Sequence, residues 1–184
     1  MERIAPAAAP FAPEVQAWLD RTMPPGRPPL RLFAVLARDP RLFGRFFAGG
    51  LLDRGHLSLR ERELVIDRTT ARRGAEYEWG VHVALFGAKA GLTEAQRVSL
   101  VHGTPDDACW SEDDRPLLRL CDELHAHSSV SDDTWAMLER RFSAEAQLEL
   151  LLLAGFYTTV SFLVNALRLP LEADATRFPA AGRA

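Results

Sequence analysis

A chain of 184 residues, 47% hydrophobic and 26% charged, has the size and composition of one globular domain with room for terminal extensions. Its 22 Lys and Arg against 25 Asp and Glu leave a net charge of −3, and the arginines are scattered, so no global field favours nucleic acid. The two cysteines, Cys109 and Cys121, are too few and too far apart for a CxxC pair or a disulfide framework, which points to reduced thiols in the cytoplasm.

In chain order, Met1 to Pro13 is rich in Ala and Pro, lacks the order of a signal peptide, and reads as a loose arm. Asp39-Pro40 predicts a capped helix start leading through Leu42, Phe43, Phe46 and Phe47 to Gly49-Gly50. Ser58-Leu59-Arg60-Glu61 is a capping box for a helix running to about Arg73 and stopping at Gly74. The next helix opens at Glu76, sets Trp79, Val83, Phe86 and Ala90 on one apolar stripe, and ends at Gly91. Thr93 to Gln96 forms a second capping box. Ser111 is expected to open a helix with Leu117, Leu118, Cys121 and Leu124 on its inner face, Ser131 a short one, and Ser143 a long last helix closed by Pro170.

No stretch alternates like a strand, so the expected fold is all-α. The expected organisation is an arm with a short helix at 1–23, a helical domain at 24–171 and a tail at 172–184. Leu150 to Leu167 carries no charge over a length that could span a bilayer. Its Gly155, Thr158, Thr159, Ser161 and Asn165, and the lack of a flanking positive cluster, favour a buried helix, so no membrane is expected.

The chemistry concentrates in Glu76-Tyr77-Glu78-Trp79-Gly80-Val81-His82. Glu78 and His82 stand four apart on one helical face, close enough to share a proton, and a carboxylate beside an imidazole can do acid–base work near neutral pH. On spacing alone, a surface ion pair with Tyr77 and Trp79 turned to the core fits as well. Arg72 and Arg73 end the preceding helix, where they suit the helix dipole or could hold a substrate carboxylate. His125-Ala126-His127 reads as a helix end, since residues two apart on a helix face apart. There is no HExxH, phosphate loop or dinucleotide fingerprint, and no metal or cofactor is expected.

Taken in order, Glu63, Ala75, Tyr77, Glu78 and His82 resemble the motif of the carboxymuconolactone decarboxylase and alkylhydroperoxidase-D-like family. Ser58 to Glu63, Ala90 to Thr93, Cys121 to His125 and Asn165 to Leu169 look like segments of the same family, from about Pro24 to Leu171. In its peroxidase branch a CxxC stands where this chain has Ala75 and Glu78. The resemblance therefore implies a helical bundle of that fold without the thiol chemistry, which needs an attacking thiolate and a resolving thiol. It places Glu63 beside His82 and makes Glu63, Glu78 and His82 the catalytic candidates; Tyr77 and Trp79, which flank Glu78, and Arg73, next to the motif, are the candidates for substrate contact by their position alone. The activity it implies is a cofactor-independent lyase, decarboxylase or isomerase acting on a small organic acid or lactone. Two other readings are a non-catalytic oligomeric relative with a vestigial pocket, and a redox relative that has lost its CxxC.

The apolar residues of the last helix cover more than one face, and Phe43, Phe46 and Phe47 add a second cluster. Together they predict a homo-oligomer: a trimer, a hexamer built from trimers, or a dimer. The family's closed assemblies point the same way.

Overall fold

The structure, a computed structural model, describes residues 2–181, and every regular element among them is helical. Its core is built around one helix, α4 (Leu59–Arg72), which packs against α5 (Glu76–His82), α6 (Glu94–His102), α7 (Arg115–His127) and α9 (Ala144–Leu167). Enclosed on so many sides, α4 keeps Glu63, Leu64, Val65, Ile66, Asp67, Arg68 and Thr70 wholly out of solvent. Burying ionisable groups in such a helix costs free energy unless each finds a partner. That requirement separates the two sides of α4.

The local start signals act as the sequence predicts. The Ser58 hydroxyl accepts from the Glu61 amide while the Glu61 carboxylate accepts from the Ser58 amide, and Thr93 and Gln96 do the same for α6. Ser131 caps α8 (Asp132–Glu139) and Ser143 caps α9. Gly74 stops α4 with φ +62°, a left-handed conformation that a Cβ would strain. The helix expected to start at Ser111 begins instead at Arg115. Ser111 closes a turn onto the Asp114 amide (3.2 Å), and both oxygens of Asp114 are taken by Arg60, leaving none for a cap.

Beyond His82 the helix does not continue regularly to Gly91. It widens into a π-helical turn at Val83–Gly87, a local unwinding often found at functional sites.

Among the described residues, the N-terminal arm and the segment after α9 are not loose. Arg3 donates its amide to the Leu167 carbonyl (3.0 Å) and Ala7 to that of Ala34 (2.9 Å). The arm thus packs onto α1 (Pro13–Thr22), α2 (Arg31–Leu36) and α3 (Pro40–Ala48), which share a small core of Val15, Leu19, Ala37 and Phe43 around the Trp18 ring. After α9 the chain returns across α5, where the Thr176 amide bonds to the Gly80 carbonyl (3.1 Å). The Thr176 carbonyl comes so close that no side chain fits at Gly80.

By length and composition α9 could cross a bilayer, but here it packs on α4, α5 and α8. Leu148, Leu152 and Phe162 on its other side are 60–64% exposed. Phe43, Phe46 and Phe47, expected to add an oligomer surface, are instead used inside the chain. Phe43 is buried against the Trp18 ring, and Phe46 and Phe47 face a cavity.

Candidate active site

His82 ends α5 and points inward, buried between α4 and α9. Its Nδ1 lies 2.8 Å from Oε2 of Glu63, and its Nε2 lies 3.0 Å from the Tyr157 hydroxyl and 3.5 Å from Oε1 of Glu78. Oε1 of Glu63 is held by Nε of Arg62 at 3.3 Å. Burial by itself would push the imidazole toward neutrality. Hydrogen bonds and charge from Glu63 and Glu78 outweigh it and raise its pKa to about 10, so the ring is an imidazolium at neutral pH. The resemblance's placement of Glu63 beside His82, and the i,i+4 placement of Glu78, are both present in this geometry.

His82, Glu78 and Tyr157 form the polar floor of a cavity of about 440 Å³. The walls are apolar and aromatic, with Leu30, Leu32 and Phe33 from the α2 region, Phe46 and Phe47 from α3, and Phe156 from α9. Nδ1 faces Glu63, which does not line the cavity, so the Nε2 edge is the one a ligand meets. The exposed Lys89 also lines the cavity, which therefore opens to solvent.

The residues expected at a substrate lie elsewhere. Tyr77 is buried, donates its hydroxyl to Glu172 and accepts from the Leu32 amide (3.1 Å), tying α5 to α2 and the C-terminal segment. Trp79 is wholly buried and packs edge-on against Phe178 at 5.2 Å. Arg73 borders a separate cleft of about 230 Å³ with Thr69, Cys121 and His125, and its guanidinium lies 5.8 Å from the Phe162 ring. None of the three lines the His82 cavity. Spacing alone put them near the motif, whereas the packing of α5 turns Tyr77 and Trp79 away from it.

Two functional candidates escaped the sequence reading. Tyr157 lies in the most apolar run of the chain, 75 residues from His82, where nothing local marks it as polar machinery. Asp67 stands one helical turn from Glu63, a spacing that could have flagged it. It is fully buried and neither carboxylate oxygen has a partner among the described residues. Burial and the charge of Glu63 push its pKa well up, against smaller opposing effects of His82 and Arg97, which favours the neutral acid.

Neither cysteine reaches this cavity. Cys121 is buried behind α4, and burial pushes its thiol up to about 12. Among the described residues no group of three or more His, Cys, Asp or Glu is placed to hold a metal ion.

Residues 40–109, which include Glu63, Glu78 and His82, match the model of the carboxymuconolactone decarboxylase family. No curated protein matches the chain at a significant level. Among solved structures, an uncharacterised peroxidase-related protein from Silicibacter sp. is 20% identical with a TM-score of 0.73, over 92% of this chain and 90% of that one. A Ralstonia eutropha protein described as an alkylhydroperoxidase AhpD core and as an uncharacterised peroxidase-related protein is 20% identical with a TM-score of 0.72, over 94% and 95%. An Agrobacterium tumefaciens protein of unknown function, described as a putative antioxidant defence protein AhpD, is 19% identical with a TM-score of 0.64, over 75% and 95%. Likeness at these identities shows the fold, an alkylhydroperoxidase-D-like helical bundle.

Proposed function

Starting from a carboxymuconolactone decarboxylase family segment at residues 40–109, we propose that the protein is a cofactor-independent acid–base enzyme, a lyase, decarboxylase or isomerase acting on an organic acid or lactone. The observation that carries this reading is the His82 imidazolium on the floor of an open, largely apolar cavity. In such surroundings a positive hydrogen-bond donor is worth most where negative charge develops, as on the oxygen of an enolate.

His82 Nε2–H, with the Tyr157 hydroxyl beside it, would stabilise that oxygen. Glu78, the carboxylate that lines the cavity, would take a proton from carbon or return one to it. In the decarboxylation variant, the pair of the breaking C–C bond flows into the conjugated carbonyl, CO2 departs, and a proton is delivered to carbon. Glu63 is a positioning residue, fixing the ring through Nδ1. With the imidazole so basic, its role is proton donor and charge stabiliser rather than base.

A purely structural Glu–His–Glu network is disfavoured by the open chamber beside it. The thiol route is disfavoured by Ala75 and Glu78 at the motif cysteine positions and by the absence of both cysteines from the lining of the His82 cavity. We also propose that the exposed Leu148, Leu152 and Phe162 face of α9 is covered by another copy of the chain, in a trimer, a hexamer or a dimer. Light scattering at micromolar concentration checks this, and a concentration-independent monomer would refute it.

The test of the activity is incubation with a panel of organic acids and lactones in D2O, followed by proton NMR. Deuterium incorporation or turnover by the native protein, lost in His82→Ala, is the expected result. Turnover that persists undiminished in His82→Ala would overturn the assignment.

A further inference from the structure

Along one wall of the cavity, His82, Phe86 and Lys89 follow one another at helical spacing, four and then three residues apart. The His82 and Phe86 rings are 5.5 Å apart, and the Lys89 ammonium stands 5.7 Å from the centre of the Phe86 ring. Lys89 is solvent-exposed and has no acidic partner within ion-pair distance among the described residues. From His82 to Lys89 the chain climbs seven residues, through the π-helical turn and just beyond it. The wall therefore runs from an acid–base floor, over an aromatic face, to an unpaired cation at the opening.

A second cation, Arg27, also lines the chamber, but its guanidinium is paired with Asp174 at 2.6 Å. At the other end, Glu78 is the carboxylate among the lining residues and sits beside His82. A ligand carboxylate pushed to the floor would lose its hydration and compete with Glu63 and Glu78, which already flank the His82 imidazolium, while one left at the opening would meet Lys89 in water and keep most of its hydration. Between the two ends, Phe33, Phe46, Phe47, Leu32 and Phe156 offer only apolar surface. A space of about 440 Å³ equals the liquid volume of about fifteen water molecules, so it would hold a ligand of about that many heavy atoms at most.

We propose that this cavity binds amphipathic carboxylic acids of roughly ten to fifteen heavy atoms, an apolar chain or ring system filling the aromatic chamber and the carboxylate resting on Lys89 at its mouth. The proposal deepens the acid–base reading of the same site. The reacting carbonyl or double bond would lie at the end of the molecule remote from the Lys89-bound carboxylate, next to His82 Nε2, which selects the isomerase and lyase variants of that reading over loss of this carboxylate as CO2. It also relocates acid recognition from Arg73, which faces a different cleft, to a lysine two helical turns beyond the catalytic histidine. Lys89 is the only lysine in the chain.

Isothermal titration calorimetry on the full chain, with ligands below their micellar concentrations, tests this without requiring turnover. Decanoate supplies chain and charge, decan-1-ol the chain without the charge, and acetate the charge without the chain. Decanoate is expected to bind at least a hundredfold more tightly than acetate. Lys89→Glu, a change at an exposed position, should weaken decanoate at least fivefold and decan-1-ol less than twofold. Equal losses for decanoate and decan-1-ol, no effect of Lys89→Glu on either, or decanoate no tighter than acetate would each overturn the proposal. His82→Ala separates the two claims, because it should abolish turnover while decanoate still binds more tightly than acetate and still weakens on adding Lys89→Glu. If the Lys89 pattern holds but no acid in the panel reacts, the binding inference stands and the acid–base function fails.

Discussion

The two sides of α4 bury charge in opposite ways. Toward α7, Arg68 is wholly buried yet fully engaged: Nε and Nη2 reach the two oxygens of Asp122 at 2.7 Å, and Nη1 reaches the carbonyls of Ser99 and Leu100 at 2.9 Å. Arg72 adds a second fork onto Asp122. Burial would push the Asp122 carboxyl up, but the two guanidinium groups hold it below its ordinary value. On the side that meets α5 and α9, Glu63 and Asp67 are equally buried, yet Asp67 has no hydrogen-bond partner among the described residues and the group next to Glu63 opens onto a cavity. A satisfied buried ion pair is a fixture of the scaffold, whereas the His82 group turns Nε2 toward an open cavity, the arrangement on which the proposed function rests.

The sharpest way to break this comparison is to remove the centre of the incomplete side. His82→Gln should lower turnover of a reacting acid by roughly 10²- to 10⁴-fold, the usual worth of a positioned acid–base group, as read from initial rates. A drop of less than threefold would mean the network is structural after all.

The next largest effect belongs to the satisfied side. Arg68→Met leaves the Asp122 carboxylate half-buried against Arg72 alone and should cost about 3–5 kcal/mol in urea unfolding. The protein that remains folded should keep native ligand affinity in the His82 cavity. Loss of affinity at unchanged stability would assign Arg68 to the site instead of the scaffold.

The pH dependence of stability distinguishes the two sides by sign. The folded-state pKa of His82 is raised, so its contribution is full below about 6.5, the unfolded value, and fades as pH climbs toward about 10. Asp67 is raised as well, so it too favours the folded state at low pH and weighs against it as pH rises above the ordinary carboxylate range. Asp122 is lowered, so its contribution is present above about 3.9 and is lost as pH falls further. Asp67→Asn should therefore gain on the native protein in thermal midpoint between pH 4 and pH 8. A constant offset across that range would show that Asp67 ionises normally. NMR of the His82 ring should show an imidazolium persisting through pH 8.

The smallest effect sharpens the picture. Tyr157→Phe removes one hydrogen bond to Nε2 and should cost about 1 kcal/mol of stability in urea unfolding. If Tyr157 also steadies a developing oxyanion, kcat should fall more than KM rises. An unchanged kcat would confine Tyr157 to packing.

Much of the frame could be read one helix at a time. Ser58, Thr93, Ser131 and Ser143 each accept a backbone amide three residues on, and Gly74 takes the left-handed turn its position called for. Glu78 and His82 share a face because helical spacing leaves no alternative. All these signals are closed within a few residues, so the order of amino acids determines them before any packing occurs. Folding α4 and α9 against α5 decided which atoms face His82, bringing Glu63 to Nδ1 and Tyr157 to Nε2. The same packing turned Tyr77, Trp79 and Arg73 away from the cavity and used the phenylalanines of α3 as its wall. Those outcomes depend on how helices cross and which side chains interlock across tens of residues. Such distances are set by the balance of buried area over the whole molecule, which no local pattern of residues encodes.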